Sequence, residues 1–264
     1  MKKILIKIEY IGTNYSGWQI QPNAVTVQQI IQDVFRQICQ IEITVNASSR
    51  TDAGVHAKGQ VATLFIPEKM ALDKLFKGVN SLLPKDISVI DMVEVAEEFN
   101  VRKAATRKRY IYRVINSPVR RVFEQKTSLW KRKPLDLPKI EGCINDLVGT
   151  HNYSAFRGKG CQQPDPVKTI TKTSVDTIRQ DGYDLITFSF EGSGFLKNMV
   201  RIMVGTLLDI AQAKLEADCI KQALETGDRS VSGLTAPPEG LILDTVFLDP
   251  DPFQTRELED SQIS

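Results

Sequence analysis

The stretch Thr169–Glu191, TITKTSVDTIRQDGYDLITFSFE, decides the fold. Its two halves, Thr169–Arg179 and Asp184–Glu191, are rich in β-branched and aromatic residues. Between them sits Asp181-Gly182, a dipeptide suited to a tight turn. The stretch therefore predicts two antiparallel strands. Working outward, strands outnumber helices and several neighbouring pairs look antiparallel. This favours an α+β fold over a doubly wound parallel sheet.

Upstream, Lys3–Glu9 alternates apolar and charged residues and predicts a strand. Thr26 caps a predicted helix whose apolar face is Val27, Ile30, Ile31, Val34 and Ile38. Ile41–Ala47, Gln60–Ile66 and Ile87–Val95 read as strands, with a helix near Leu72–Leu83. In the second half Lys108–Asn116 reads as a strand with one wet face, and Leu137–Val148 as a helix. Asn152–Lys168 is a loop. Phe195–Ala213 predicts a long helix, with Phe195, Met199, Ile202, Met203, Thr206 and Ile210 on one broad stripe. A short helix over Ala217–Glu225 and a strand over Leu241–Leu248 follow. Three segments are expected: an N-terminal half over 1–104, a C-terminal half over 105–248, and a mobile acidic tail over 249–264.

Composition is that of an ordinary globular protein, with 264 residues, 42% hydrophobic and 25% charged. No apolar run approaches membrane-span length. The N-terminus, MKKILIK, lacks a signal peptide's apolar core and cleavage site, so a cytoplasmic location is expected. Cys39, Cys143, Cys161 and Cys219 are far apart in sequence and read as reduced thiols, with no redox pair or clustered zinc ligands. The net charge of +2 hides an uneven distribution. Residues 249–264 hold five acids against Arg256, whereas 102–133 hold twelve basic residues against Glu124. Charge alone leaves a solvated face and a polyanion-binding surface equally open. Tyr110, Tyr112 and Trp130 among the cations favour nucleic acid, since rings stack on bases while cations hold phosphates.

Several residues could carry chemistry. In SRTDAGVH (Ser49–His56), Asp52 is followed by small residues that admit a substrate, with Arg50 two positions earlier. On spacing alone this is also what a plain polar turn looks like. Arg201 lies between apolar runs of the long helix, with Lys197 on its face. It reads as a surface arginine or as the partner of a carboxylate that it would keep ionised. Tyr110 is a half-buried strand aromatic on its own. His56 and His151 have neither metal-pair spacing nor a serine partner, and His56 reads as structural. No GxxxxGK[ST] or GxGxxG phosphate loop occurs.

In chain order, IEYIGTNYSGWQIQP (Ile8–Pro22), SRTDAGVHAKGQVA (Ser49–Ala62), ATRKRYIYRV (Ala105–Val114), HNYSAFRG (His151–Gly158), GFLKNMVRIMVGTLLDI (Gly194–Ile210) and APPEGLIL (Ala236–Leu243) closely resemble the tRNA pseudouridine synthase A family. The resemblance covers about residues 3–248. It implies two related α+β halves, their mainly antiparallel sheets joined around a central catalytic cleft with helices on the outer faces. It also implies isomerisation of uridine in the tRNA anticodon stem-loop, at about positions 38–40, by a homodimer that uses no metal or organic cofactor. By the same resemblance Asp52 is the catalytic carboxylate and Arg201 its charge partner. Tyr110 stacks on the flipped uracil, and Arg50 helps to flip the base and fills its place. Ser49 stands where the family commonly has glycine, and Lys103 where relatives often carry an aromatic residue.

The residue types suit that chemistry. An ionised carboxylate can attack C1′ of the ribose or remove the C2′ proton, and both routes stay open. Either needs the base out of its stack, at a cost of a few kcal/mol. A binding protein without catalysis would not require Asp52, Tyr110 and Arg201 together. An aspartic protease would want an apolar strand before its aspartate, not Ser48-Ser49-Arg50-Thr51.

Overall fold

The computed structural model describes residues 1–254. The chain divides into two units, Met1–Thr106 with the chain from Leu243 onward, and Arg107–Ile242. In the first, β1 (Lys2–Tyr10) leads through α1 (Val27–Cys39) and the two-residue β2 (Asn46–Ala47) to β3 (His56–Ile66). Then come α2 (Leu72–Leu82), β4 (Ile87–Val95) and the single turn α3 (Val101–Ala104). β1 lies between β3 and β4, antiparallel to both, and β2 adds to β3. β3 is buried along nearly its whole length, as befits a strand covered on both faces. Thr26 caps α1 as expected, its hydroxyl accepting from the Gln29 amide at 3.4 Å. Helix α2 packs on β4, and α1 on α2.

The second unit opens in β5 (Ala105–Asn116) and continues through β6 (Leu129–Lys131), α4 (Leu137–Cys143) and β7 (Gly149–Asn152). β8 (Val167–Gln180) and β9 (Tyr183–Gly192) precede α5 (Met199–Ala211), α6 (Cys219–Thr226) and β10 (Leu241–Leu248), along which the chain returns to the first unit. β5, β9, β8 and β7 pair antiparallel in that order, and β6 runs parallel to the end of β5. The β8–β9 hairpin turns at Asp181 (φ 45°) and Gly182 (φ 79°), as its dipeptide predicts. The α+β class therefore holds.

Four expectations need correction. Of Ile41–Ala47 only Asn46–Ala47 is strand, because α1 side chains replace the ladder: Gln28 Nε2 donates to the Val45 carbonyl at 2.9 Å and the Val45 amide to Gln32 Oε1 at 3.0 Å. The Leu137–Val148 helix tightens to a 3-10 turn at Ile144–Leu147. The long helix starts at Met199, four residues late, because Asn198 takes the left-handed conformation (φ 60°) just before it. Lys197 thus lies outside the helix. Nor does α5 have one stripe: every residue but Arg201 and Asp209 is buried, the pattern of a helix covered all round.

The start of the tail is held. The Asp249 amide donates to the Ala104 carbonyl at 2.9 Å, and Phe253 is buried. The expected mobility of the acidic tail otherwise concerns 255–264, outside the described residues. Among the described residues no helix is long and apolar enough to cross a membrane, and no cluster of three or more His, Cys, Asp or Glu is placed to hold a metal ion. All four cysteines are free.

Candidate active site

The Asp52 loop joins β2 to β3, and the segment Gly12–Trp18 after β1 grips its backbone. The Trp18 amide donates to the Thr51 carbonyl at 3.1 Å and the Gly54 amide to the Tyr15 carbonyl at 3.2 Å. The Gly12 amide donates to His56 Nδ1 at 2.9 Å. Two glycines permit this approach. A Cβ on Gly12 would collide with the Val55 carbonyl, and one on Gly17 (φ 91°) would sit 2.8 Å from the Thr51 carbonyl. The grip segment is itself moored, because the Tyr15 hydroxyl donates to Asp86 Oδ1 at 2.5 Å. Burial, and then Asp86 itself, raise the Tyr15 pKa, so the hydroxyl keeps its proton.

From the other side, fully buried Gln60 donates to the Ser49 carbonyl at 3.0 Å and accepts from the Ser48 hydroxyl at 3.3 Å. Tyr10 and Thr51 share a buried hydroxyl–hydroxyl bond of 2.8 Å. The loop then closes in a β-turn. The Val55 amide donates to the Asp52 carbonyl at 3.1 Å, and Gly54 takes φ 78°, which a type II turn requires at its third residue.

Burial alternates through the loop: Ser49 and Thr51 are buried, Arg50 is exposed and Asp52 half-buried. In extended backbone, residues two apart leave on the same side. Arg50 and Asp52 are thus the more accessible residues of a stretch whose backbone is held at Ser49, Thr51 and Gly54. Ser49, the departure from the family pattern, is buried and its carbonyl is bound. His56 is 1% exposed, and its Nδ1 accepts from the Gly12 amide. His151 is likewise tied to the nearby chain, its Nε2 lying 3.0 Å from the Val148 carbonyl.

In the second unit β5 alternates as predicted, with Tyr110, Tyr112 and Val114 buried on one face. Tyr110 is 8% exposed and meets Phe195 edge-on, ring centres 5.1 Å apart at 78°. Tyr112 lies deeper and donates to the Pro237 carbonyl at 2.8 Å. Its pKa is raised by burial and then by Glu239.

Arg201, in the first turn of α5, is fixed at both ends. Its Nε donates to the Ala236 carbonyl at 2.7 Å and its Nη1 to Asn198 Oδ1 at 2.9 Å. Its own carbonyl accepts from the Ala236 amide at 3.0 Å. Ala236 comes this close because Gly205 and Gly233 let the segment cross α5 backbone to backbone: a Cβ on Gly205 would strike the Leu234 carbonyl, and one on Gly233 would lie 2.7 Å from Thr206 Cα. Arg201 is therefore a positioned guanidinium and not a snorkelling one. Asn198, Ala236 and Phe195 were not foreseen as partners. The asparagine directly ahead of an apolar helical run was the available signal for the first.

The basic run is not one free face. Arg102 Nε donates to the Ala47 carbonyl at 3.1 Å, Arg107 pairs with Glu191 at 2.6 Å and Arg113 with Glu124 at 3.3 Å. Burial lowers the Lys131 pKa, aided by Lys214. Arg120, Lys126, Arg132 and Lys133 stay exposed.

The chain thus combines an α+β fold, a backbone-clamped loop that carries Asp52, a buried strand tyrosine and an arginine oriented by Ala236 and Asn198. A family model described as tRNA pseudouridine synthase matches residues 6–102 and 143–248. The chain is 41% identical over 247 residues to tRNA pseudouridine synthase A of Geotalea uraniireducens, covering 94% of this chain and all of that one. It is 40% identical to the protein of the same name from Exiguobacterium sibiricum, over 94% and 97% of the two chains. For that of Myxococcus xanthus the identity is 37%, over 94% and 92%. The chain belongs to the tRNA pseudouridine synthase family and is an isomerase.

Proposed function

We propose that this protein converts uridine to pseudouridine in the anticodon stem-loop of tRNA, at about positions 38–40, with Asp52 as the catalytic carboxylate. The observation that supports the reading is the loop carrying Asp52 and Arg50, clamped through its backbone by the segment Gly12–Trp18 and by Gln60, in a chain of this family. The target uridine leaves the helical stack. Unstacking costs a few kcal/mol, and Arg50 offsets part of it by occupying the gap. Asp52 then opens the N1–C1′ glycosidic bond, either by adding to C1′ or by taking the C2′ proton. The freed uracil turns and its C5 bonds to C1′, displacing the Asp52 carboxylate in the first route or, in the second, as Asp52 returns the proton to C2′; C5 then loses its proton and N1 gains one. Tyr110 holds the free base by stacking. Arg201 keeps Asp52 ionised and aimed, a charge-assisted role that suits a guanidinium already oriented by Ala236 and Asn198. The exposed cations hold phosphates, so binding weakens as salt rises. The working form is a cytoplasmic homodimer.

tRNA carrying tritium at uridine C5 tests the chemistry. The wild-type protein releases tritium from the anticodon stem-loop, and Asp52→Asn binds tRNA with unchanged affinity but releases none. Turnover in that variant, or release confined to other parts of the tRNA, contradicts the assignment.

A further inference from the structure

The connection between β5 and β6 carries exposed apolar side chains to which the proposed reaction assigns no role. Phe123 is 100% exposed, Val122 68% and Val119 62%. Solvent-exposed apolar side chains gathered on one short loop mark a contact surface. This loop is also built to stay in place. Glu124, next to Phe123, is held by Arg113 Nη2 at 3.3 Å, and its carbonyl accepts from the Ser128 hydroxyl at 2.6 Å and the Thr127 amide at 3.1 Å. At the near end, Ser117 Oγ donates to the Val119 carbonyl at 2.6 Å, and Trp130 Nε1 donates to the Ser117 carbonyl at 2.9 Å.

The cations beside Phe123 are pre-ordered as well. The Arg120 guanidinium lies 5.0 Å from the centre of the Trp130 ring, and that of Arg121 lies 4.7 Å from the centre of the Tyr183 ring. Lys126 is exposed on the same loop. The one acid there, Glu124, is paired with Arg113. The surface therefore offers a fully exposed aromatic ring on an anchored loop, among three cations whose positive charge is not cancelled within the loop.

We propose that this loop is a second RNA grip: Phe123 stacks on an unpaired base of the tRNA, and Arg120, Arg121 and Lys126 hold the flanking phosphates. The proposal rests on tRNA being the substrate and adds a contact beyond the reacting uridine. Charge complementarity favours RNA over a second copy of the chain. A twofold contact through this loop would set its cations against the same cations, whereas a nucleotide supplies both a π-face and a phosphate. Because the loop backbone and the two guanidinium groups are already held, little of their freedom is lost on binding.

The test compares the full chain with Phe123→Ala, Phe123→Trp and the double variant Arg120→Gln/Arg121→Gln. tRNA dissociation constants are measured across a salt series, tritium release is followed on the same tRNA, and sedimentation is run without RNA. Phe123→Ala is expected to weaken tRNA binding about tenfold or more, with kcat at saturating tRNA and the salt slope both unchanged. Phe123→Trp is expected to bind like wild type. The arginine variant should make the log–log salt slope shallower by about 1 to 2. Wild-type affinity in Phe123→Ala overturns the proposal. So does a shift of that variant to a smaller sedimenting species, which would make the loop a contact between copies. A wild-type protein that binds tRNA without releasing tritium removes the isomerase reading, while the binding comparison still decides the role of Phe123.

Discussion

Gly17 and Gly182 form a matched pair for testing whether the Asp52 loop is held by the segment before it. Both occupy the left-handed region, at φ 91° and φ 79°. Alanine at either position carries the same backbone strain, about 1–2 kcal/mol. Their surroundings differ. A Cβ on Gly182 meets nothing within 4 Å, whereas one on Gly17 would lie 2.8 Å from the Thr51 carbonyl and 3.2 Å from the Ala53 amide nitrogen and the Asp52 carbonyl carbon. Each of those atoms belongs to the Asp52 loop, which must retreat by several tenths of an ångström. A catalytic group misplaced by about 1 Å loses about 100-fold in rate. Gly182→Ala is therefore expected to lower urea stability by about 1–2 kcal/mol and leave kcat intact. Gly17→Ala is expected to lower kcat by about 10- to 100-fold, with a stability loss larger than that of Gly182→Ala. Tritium release from uridine-labelled tRNA and urea titration measure the two effects. If Gly17→Ala keeps kcat within about twofold of wild type, and loses no more stability than Gly182→Ala, the clamp does not aim the carboxylate.

Two further outcomes are accessible. Asn198→Gly keeps the left-handed conformation but removes the Oδ1 that holds Arg201 Nη1. Its kcat is expected to fall while its melting temperature changes little, and an unchanged kcat would show that Arg201 does not depend on that anchor. Burial pushes the Cys161 thiol up, but hydrogen bonds from the Lys197 and Gln163 backbone and from Arg157 outweigh it and lower its pKa, whereas burial raises those of Cys39, Cys143 and Cys219. More Cys161 is therefore thiolate at neutral pH. Iodoacetamide should modify it first, as peptide mass mapping over time would show, and earlier labelling of Cys219 would contradict the assignment.

Much of the architecture was legible because it rests on local periodicity. The alternation in Lys3–Glu9, the cap at Thr26 and the Asp181-Gly182 turn each specify an element from their own neighbours. The errors came where another segment decides. Ile43 and Val45 look like strand residues, but glutamines of α1 satisfy the backbone at Val45. The apolar run from Phe195 looks helical throughout, but Asn198 starts the helix late and so becomes the anchor of Arg201. At the candidate site the residue types were readable and the support was not. Gly12 and Gly17 look like ordinary turn glycines until the Asp52 loop lies against them, more than thirty residues later in the chain. Likewise, nothing in GTLLDI or SGLTAPPEG announces that their glycines make room for each other's backbones.

The grip on the Asp52 loop runs mainly through main-chain atoms and through side chains that lie inside. That separates two properties that engineering would otherwise change together. Arg50 and Ala53 are both exposed, and neither side chain belongs to the set of bonds that fixes the loop. A library randomised at these two positions could alter which RNA is accepted while the carboxylate keeps its aim. The same library at Ser48, Thr51 or Gln60 would mostly yield proteins whose carboxylate has lost its bearing.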